Sequence, residues 1–103
     1  MKLFAYGTLL DESIQKEIIG RLVVGTPDYL IGYRKTMRQF AAGKYPDLIE
    51  DPTGEVRGQI LDLSAAELAR CDLYEGCEYK RVKLLLKSGV EVFVYMSCIL
   101  RPN

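Results

Sequence analysis

Hydrophobic and polar residues change their spacing several times along this chain, and each change predicts a different element. A short apolar run near the amino terminus predicts a strand over residues 2–6. Three isoleucines at helical spacing follow, so a helix is predicted over residues 12–19. Asp11 is suited to the N-cap of that helix and Gly20 to its C-terminal stop.

Glycine, proline and small polar residues punctuate the middle of the chain. They separate four extended pieces, which are predicted over residues 22–24, 28–37, 45–49 and 55–62. The separators are an interruption at residues 25–27, a flexible loop within residues 39–44 and a turn at Asp51-Pro52-Thr53-Gly54.

The last third of the chain predicts one helix and two strands. Ser64 and Glu67 form a capping-box pattern that opens a second helix, which runs to about residue 74. Alternating apolar and charged residues then predict a strand over residues 79–87, which a turn at Ser88-Gly89 joins to a last strand over residues 90–97. The last strand places one set of residues on one side and a second set on the other: Val90, Val92, Val94 and Met96, and Phe93 and Tyr95. Five to seven strands in hairpins with two short helices predict an α+β architecture with a strongly curved or closed sheet.

The length and composition favour one globular domain over residues 1–103. Hydrophobic residues make up 49% of the 103 residues, and 14 basic residues balance 14 acidic ones. Because no net positive charge is present, neither nucleic acid nor a membrane surface is an expected partner. No apolar run reaches the roughly 20 residues that a membrane-spanning helix needs, and the chain start lacks a signal-peptide pattern.

The absence of histidine restricts the chemistry that this chain can perform. It excludes nucleophile systems that use a histidine base and most zinc sites. Cys71, Cys77 and Cys98 lack metal-ligand spacing, so no metal site is expected and the three are interpreted as reduced thiols in a cytoplasmic protein. A catalytic base must therefore be Asp, Glu, Lys, Tyr or Cys.

The first candidate for chemistry is the turn that follows the first strand, at Tyr6, Gly7, Thr8 and Leu9. A strand, a turn of small residues and a helix start in succession bring several backbone N–H groups together. Gly7 permits close approach of a ligand, and Thr8 adds a hydroxyl. Such a turn is suited to hold a carboxylate or a developing oxyanion. The four residues taken alone favour the alternative, a strand-to-helix corner that binds nothing.

The second candidate is Glu75, which lies where the second helix should end, just before Gly76. The helix dipole disfavours a carboxylate at that end, and local rules are most often broken at functional sites. If tyrosines and apolar residues surround Glu75, its pKa should rise to a value suited to proton transfer. The structural alternative is a solvated glutamate on the surface.

Four segments in order give the chain a family resemblance: YGTL, YPDL, GEVRGQIL and DLYEGCEYKRV. With them the chain resembles the gamma-glutamylcyclotransferase-like family over residues 2–97, in particular the short branch that includes plant avirulence-induced proteins. The resemblance implies a small mixed, mostly antiparallel β-barrel with two short flanking helices and a cavity at one end. It also implies a cyclisation that releases 5-oxoproline from a gamma-glutamylamine or gamma-glutamyl peptide and needs no cofactor.

The resemblance also implies roles for particular residues. The turn Tyr6–Leu9 would bind the amino-acid end of the substrate, and Glu75 would be the catalytic acid and base. Tyr79 would lie near the pocket, and Arg81 would be structural. The chain departs from the family in being shorter than the characterised enzymes, in lacking their pocket insertions, and in having Cys71 where leucine is usual.

Two other functions are compatible with the same pattern. The missing pocket insertions would suit a catalytically silent module that binds a small molecule or a partner, whereas the retained Glu75 favours an enzyme. A hydrolase or acyltransferase that uses water or an external amine is the third possibility. The products of a turnover assay distinguish the three.

Overall fold

A computed structural model describes residues 1–41 and 43–98 of the chain. The strands are β1 (Lys2–Ala5), β2 (Thr26–Phe40), β3 (Gly43–Asp62), β4 (Tyr79–Leu85) and β5 (Glu91–Ser97). The helical elements are a 3₁₀ turn (Thr8–Leu10), helix α1 (Glu12–Ile14) with its π-helical continuation (Gln15–Ile19), and helix α2 (Ala65–Glu75).

In the described part of the chain, strand β1 lies at the centre of a five-stranded sheet with the order β2-β3-β1-β5-β4. It pairs antiparallel with β3 and parallel with β5, where Leu3 lies opposite Phe93. The two outer pairs, β2 with β3 and β4 with β5, are antiparallel hairpins. The predicted α+β fold with a small mixed, mostly antiparallel curled sheet is therefore confirmed, with five strands forming a half-barrel.

The curl of the sheet brings the turn after β4 against the outer strand β2. The backbone N–H of Lys87 donates to the carbonyl of Tyr29 at 2.8 Å. The hydroxyl of Ser88 next to it donates to the carboxylate of Asp28. These contacts hold the two outer strands near each other, so the concave side of the sheet encloses an interior.

Two hydrophobic cores lie on the two faces of the sheet, because successive side chains of a strand point to opposite faces. The core inside the curl contains Phe4, Tyr6, Leu30, Leu48, Val56, Ile60, Leu86, Val92, Val94 and Met96. The core between the outer face and the helices contains Leu3, Ala5, Leu9, Ile19, Leu61, Leu63, Leu68, Cys71 and Tyr95. Buried positions of β1 and β5 thus contribute to both cores.

The ends of both helices form as predicted. The Asp11 carboxylate accepts from two backbone N–H groups of the first turn, and Gly20 ends the helical segment with φ +94°. Ser64 and Glu67 form the reciprocal capping box at the start of α2. Gly76 follows α2 with φ +73°. Local sequence sufficed here because a cap depends on residues within one turn of the helix end.

The predicted turn at Asp51-Pro52-Thr53-Gly54 does not join two strands, and this prediction is wrong. These residues form a bulge inside the single long strand β3, where Ile31 of β2 pairs with Glu55 and Tyr33 pairs with Glu50. The Asp51 carboxylate accepts from the backbone N–H and hydroxyl of Thr53, which gives the segment its turn-like chemistry. Because β3 pairs with β2 both before and after residues 51–54, the chain continues in the same direction instead of turning back. A bulge of this kind bends the strand.

Three smaller boundaries also differ from prediction. The prediction that residues 25–27 interrupt the strand is wrong, since β2 begins at Thr26. Thr26 pairs with Ile60, and Pro27 pairs with Gln59. A proline is tolerated there because β2 is an outer strand. The extended piece at residues 22–24 joins no strand, and the first strand ends at Ala5 rather than at residue 6.

The loop predicted within residues 39–44 is also mostly strand. β2 continues to Phe40 and pairs there with Gly43, the first residue of β3. Ala42, which belongs to that prediction, and residues 99–103 of the predicted domain lie outside the described residues. Among the described residues no helix is long and apolar enough to cross a membrane.

Candidate active site

A cavity of about 260 Å³ opens where β1 ends, between the turn after β1 and the end of α2. All six site residues predicted from the sequence contribute to its lining: Tyr6, Gly7, Thr8, Leu9, Glu75 and Tyr79. The early turn and the late glutamate therefore face one hollow, although more than sixty residues separate them along the chain. Their roles in binding and catalysis stay predictions.

The turn after β1 lines the cavity, and two internal hydrogen bonds hold its backbone. It is tightened by hydrogen bonds of 3.0 Å from Leu10 N to the Gly7 carbonyl and from Asp11 N to the Thr8 carbonyl. The first N–H groups of a 3₁₀ turn have no acceptor within it. Among the described residues, no hydrogen bond occupies the backbone N–H of Gly7, Thr8 or Leu9. Three residues that line the cavity thus carry backbone donors without an acceptor among the described residues.

The same turn is anchored from both sides. The Tyr6 side chain is buried in the interior core, and its hydroxyl donates to the Tyr95 carbonyl at 2.6 Å. The Tyr6 carbonyl accepts from Lys35 Nζ at 3.1 Å. Leu9 is buried on the opposite face of the sheet. These contacts fix the position of the backbone donors before any ligand arrives.

Glu75 is the last residue of α2 and is half-buried at the cavity. Burial of the carboxyl raises its pKa from 4.5 to about 7, because the charged form loses hydration. Among the described residues none forms a hydrogen bond or an ion pair with this side chain. A carboxyl group that titrates near neutral pH and is not committed to a partner is suited to accept and return a proton.

Tyr79, the first residue of β4, forms part of the cavity wall. Its hydroxyl donates to the carbonyl of Pro46 at 2.6 Å, and its ring contacts Phe40 with ring centres 5.6 Å apart. Burial, together with the negative charges of Asp47 and Glu75, raises the pKa of the Tyr79 hydroxyl. The phenol therefore stays protonated at neutral pH and acts as a hydrogen-bond donor.

About half of the lining was not among the site residues predicted from the sequence. The additional residues are Phe4, Ala5, Tyr45, Pro46, Tyr74, Glu78 and Tyr95. The YPDL segment was a signal for two of them, since Tyr45 and Pro46 are its first residues. Pairing of β3 with β2 and the tie to Tyr79 bring this segment to the cavity, and neither contact is local in sequence.

Asp47 of the same segment supports the cavity wall from behind. Its side chain is fully buried, and its carboxylate accepts from Arg38 Nε at 2.6 Å. It also accepts from the backbone N–H groups of Leu48, at 2.8 Å, and Ser97, at 3.0 Å. The Ser97 contact connects β3 directly to β5, so Asp47 fixes the relative position of two walls.

Arg81, which was predicted to be structural, does not contribute to the lining of this cavity. It pairs with Asp72 of α2 at 2.7 Å and lies over the ring of Phe93, 4.8 Å from its centre. Asp72 also accepts from the Tyr95 hydroxyl at 2.6 Å. This network ties α2 to β4 and β5 one helical turn before Glu75.

The described residues contain no group of three or more histidine, cysteine, aspartate or glutamate side chains that could hold a metal ion. Cys71 is buried, whereas Cys77 and Cys98 are exposed, and all three are free thiols. Burial raises the pKa of the Cys71 thiol to about 11, so it is unsuited to act as a nucleophile.

A half-barrel whose partly enclosed cavity is lined by residues with unoccupied backbone donors and by an uncommitted carboxyl is suited to a small molecule and to acid–base chemistry. The chain belongs to the family described as "Gamma-glutamyl cyclotransferase, AIG2-like", whose model matches residues 3–101.

Similarity to individual proteins agrees with this family. Protein AIG2 C of Arabidopsis thaliana is 28% identical in an alignment 102 positions long, which covers 91% of this chain and 61% of that protein. The chain thus spans about three fifths of the length of this relative. A solution structure of an Arabidopsis thaliana protein is 27% identical with a TM-score of 0.75, covering 93% of this chain and 61% of that one.

A structure titled gamma-glutamyl cyclotransferase shares the fold with a TM-score of 0.73. Its sequence identity is 18%, and the match covers 93% of this chain and 65% of that chain. At this identity the likeness concerns the fold alone.

Proposed function

We propose that this protein is a gamma-glutamyl cyclotransferase that acts on a gamma-glutamylamine or gamma-glutamyl peptide and releases 5-oxoproline. The observation that carries the proposal is the uncommitted Glu75 carboxyl, with a pKa of about 7, in the same cavity as the backbone donors of Gly7–Leu9. Family membership supports the reaction class.

The reaction is an intramolecular aminolysis. The α-amino nitrogen of the substrate attacks its own γ-carbonyl carbon, a C–N bond forms to close a five-membered ring, and the C–N bond to the leaving amine breaks. Glu75 takes a proton from the attacking nitrogen and delivers a proton to the leaving nitrogen. One carboxyl group performs both transfers, so the absence of histidine is no obstacle.

Substrate orientation supplies much of the acceleration in this scheme. A flexible glutamyl chain rarely places its amine against its carbonyl, and holding it folded contributes up to about 7–11 kcal/mol in ideal intramolecular reactions. The backbone N–H groups of Gly7, Thr8 and Leu9 would bind the α-carboxylate or the developing oxyanion. Tyr6 would hold this turn from the core, and Tyr79 would close the wall beside it.

This chemistry needs no metal or cofactor, because nucleophile and electrophile belong to one substrate molecule and only protons move. The free thiols Cys71, Cys77 and Cys98 support a reducing compartment, and a cytoplasmic location is part of the proposal.

The direct test measures 5-oxoproline by mass spectrometry after incubation of the purified protein with a panel of gamma-glutamyl amines and peptides. Glu75→Gln keeps the size of the side chain but removes its basicity, so turnover should fall by roughly 10²–10⁴-fold. Glu91→Gln, an exposed change on β5, is the matched control and should retain full activity.

Three other outcomes of this assay would contradict the proposal or indicate a different function. Full activity in a folded Glu75→Gln protein would exclude the proposed acid and base. Free glutamate in place of 5-oxoproline would indicate a hydrolase. Ligand-induced thermal stabilisation without any product would indicate the silent binding module.

A further inference from the structure

Lys35 reaches from the outer strand β2 to the turn after β1. It lies opposite Leu48 of β3, and directly opposed residues of an antiparallel pair point to the same face of the sheet. Leu48 belongs to the core inside the curl, so the Lys35 side chain leaves β2 on the concave face. From there Nζ donates a partly buried hydrogen bond of 3.1 Å to the backbone carbonyl of Tyr6.

The charge of Lys35 is used differently from that of the neighbouring cations on β2. Arg34 pairs with Asp51 at 3.6 Å. Arg38 pairs with the buried Asp47 at 2.6 Å. Among the described residues no carboxylate forms an ion pair with Lys35. Its ammonium is therefore directed at a backbone carbonyl without a side-chain counter-charge.

The carbonyl that Lys35 binds belongs to the same peptide group as the N–H of Gly7. The two ends of a trans peptide point in opposite directions, so a cation at the oxygen polarises the group and strengthens its N–H as a donor. Gly7 lines the cavity, and its N–H has no acceptor among the described residues. Lys35 thus acts on a donor that is free to bind a ligand.

A carboxylate in this cavity needs such support. It loses hydration on entry, and no lysine or arginine of the described chain is among the lining residues, whereas Glu75 and Glu78 are. Bond lengths and two hydrogen bonds put Lys35 Nζ at most roughly 8 Å from an atom that accepts from Gly7 N–H. This distance is similar to the screening length at physiological ionic strength, about 8 Å, so the charge still acts on a ligand there.

We propose that Lys35 is a positioning residue that makes the Gly7 N–H a binding group for the α-carboxylate of the substrate. Lys35 does not line the cavity, so it acts through the Tyr6–Gly7 peptide group and not by contact with the ligand. The inference rests on the proposed function and adds a residue of β2 to it. Its signature is an effect that depends on the negative charge of the ligand.

The first experiment compares two substrates that differ only in the group on the α-carbon. Gamma-glutamyl-butylamine carries the α-carboxylate, and its α-carboxamide analogue carries a neutral group of the same shape. Lys35→Met keeps the side chain up to Cε but removes the ammonium. We expect it to lower kcat/KM for the carboxylate substrate at least about tenfold, mainly through KM, and to change the carboxamide substrate less than about twofold.

Two further variants separate the charge from the shape. Lys35→Arg keeps a cationic donor and should restore most of the preference for the carboxylate substrate. Lys2→Met makes the same change of net charge at an exposed residue of β1 and should alter neither substrate. An equal loss for both substrates in Lys35→Met would show that Lys35 only supports the turn. That result, or no loss for either, would overturn the inference while turnover itself would leave the cyclotransferase proposal intact.

A binding measurement keeps the inference testable if neither substrate is turned over. In that case the proposed reaction fails, but calorimetric titration with 5-oxoproline and with its neutral carboxamide still probes the cavity. Weaker binding of 5-oxoproline to Lys35→Met, by about fivefold or more, with unchanged binding of the carboxamide would support the role of Lys35. Equal changes for both compounds, or no binding of 5-oxoproline to the native protein, would overturn it.

Discussion

The hydroxyl of Tyr79 donates a 2.6 Å hydrogen bond to the backbone carbonyl of Pro46, and this contact joins β4 to β3 across the wall of the cavity. Both residues contribute to the lining, and the ring of Phe40 packs against Tyr79 from the side of β2. Strands β2, β3 and β4 therefore meet at the Tyr79 side chain, so the shape of the cavity depends on this side chain.

Removal of this hydroxyl in Tyr79→Phe should lower both stability and substrate binding. A lost buried hydrogen bond costs about 0.5–1.5 kcal/mol, or a decrease in Tm of several degrees for a domain of this size. We expect KM to rise several-fold with a smaller change in kcat, as measured by 5-oxoproline release. Tyr29→Phe, at a tyrosine that does not line the cavity, is the control; if both variants behave alike, the contact has no special role.

The pH dependence of activity should follow Glu75. Its carboxyl must be ionised to accept a proton, and burial raises its pKa to about 7. We therefore expect log kcat/KM to rise with unit slope below about pH 7 and then to level off. A profile that is already flat at pH 5 would contradict the role of Glu75 as the base.

The same pKa shift predicts the pH dependence of stability. Between about pH 4.5, the unfolded value, and about pH 7, the folded one, the folded state binds more protons than the unfolded state. The free energy of unfolding must then fall as the pH rises through this range. Glu75→Gln removes the titrating group, so it should be more stable than the native protein above pH 7, by on the order of 1–2 kcal/mol.

Chemical denaturation of the two proteins at pH 4 and pH 8 measures this difference. The advantage of Glu75→Gln should largely disappear at pH 4, where the native carboxyl is protonated in both states. Glu91→Gln serves as the exposed control. A variant that is less stable than the native protein at pH 8 would show that the Glu75 carboxylate is stabilised rather than penalised by its surroundings.

A methyl group added at Gly7 should impair the site more than the fold. Its Cβ would lie 3.1 Å from Cγ and 3.3 Å from Cβ of Pro46, so one of the two segments must shift by a few tenths of an ångström. Such a shift moves the backbone donors, and we expect Gly7→Ala to lower kcat/KM at least tenfold.

A second change tests whether this crowding is the cause. Pro46→Ala removes the Cγ atom that Gly7→Ala would meet, so the double variant should recover much of the activity relative to Pro46→Ala alone. Retention of full activity by Gly7→Ala would show that the turn does not contact the reacting groups closely.

Replacement of Asp47 should affect stability, because its carboxylate connects three parts of the fold. Asp47→Asn keeps the shape but turns an amide donor toward either Arg38 or the backbone N–H groups of Leu48 and Ser97. We expect a loss of about 1–3 kcal/mol in chemical denaturation. Asp62→Asn, at an exposed side chain, should change little, and an equally small effect at both positions would contradict this role.

Local sequence determined those parts of the fold that depend on a few neighbouring residues. Asp11, Ser64 and Glu67 act as caps as predicted, and Gly76 places Glu75 at the end of α2. The alternation of side chains in the last strand likewise predicted which residues face each core. The motifs from YGTL to DLYEGCEYKRV indicated the family and a small barrel-like sheet, which the structure shows as a half-barrel.

Only the tertiary structure decided which distant segments meet. Residues 51–54 have the composition of a turn, yet pairing with β2 on both sides makes them a bulge within β3. Tyr45, Pro46 and Glu78 reach the cavity through strand pairing and the bond from Tyr79. Helix caps and the alternation of side chains depend on residues close together in the sequence, so the sequence alone predicts them. The lining of a cavity depends on contacts between residues far apart in the sequence, which only the folded chain brings together.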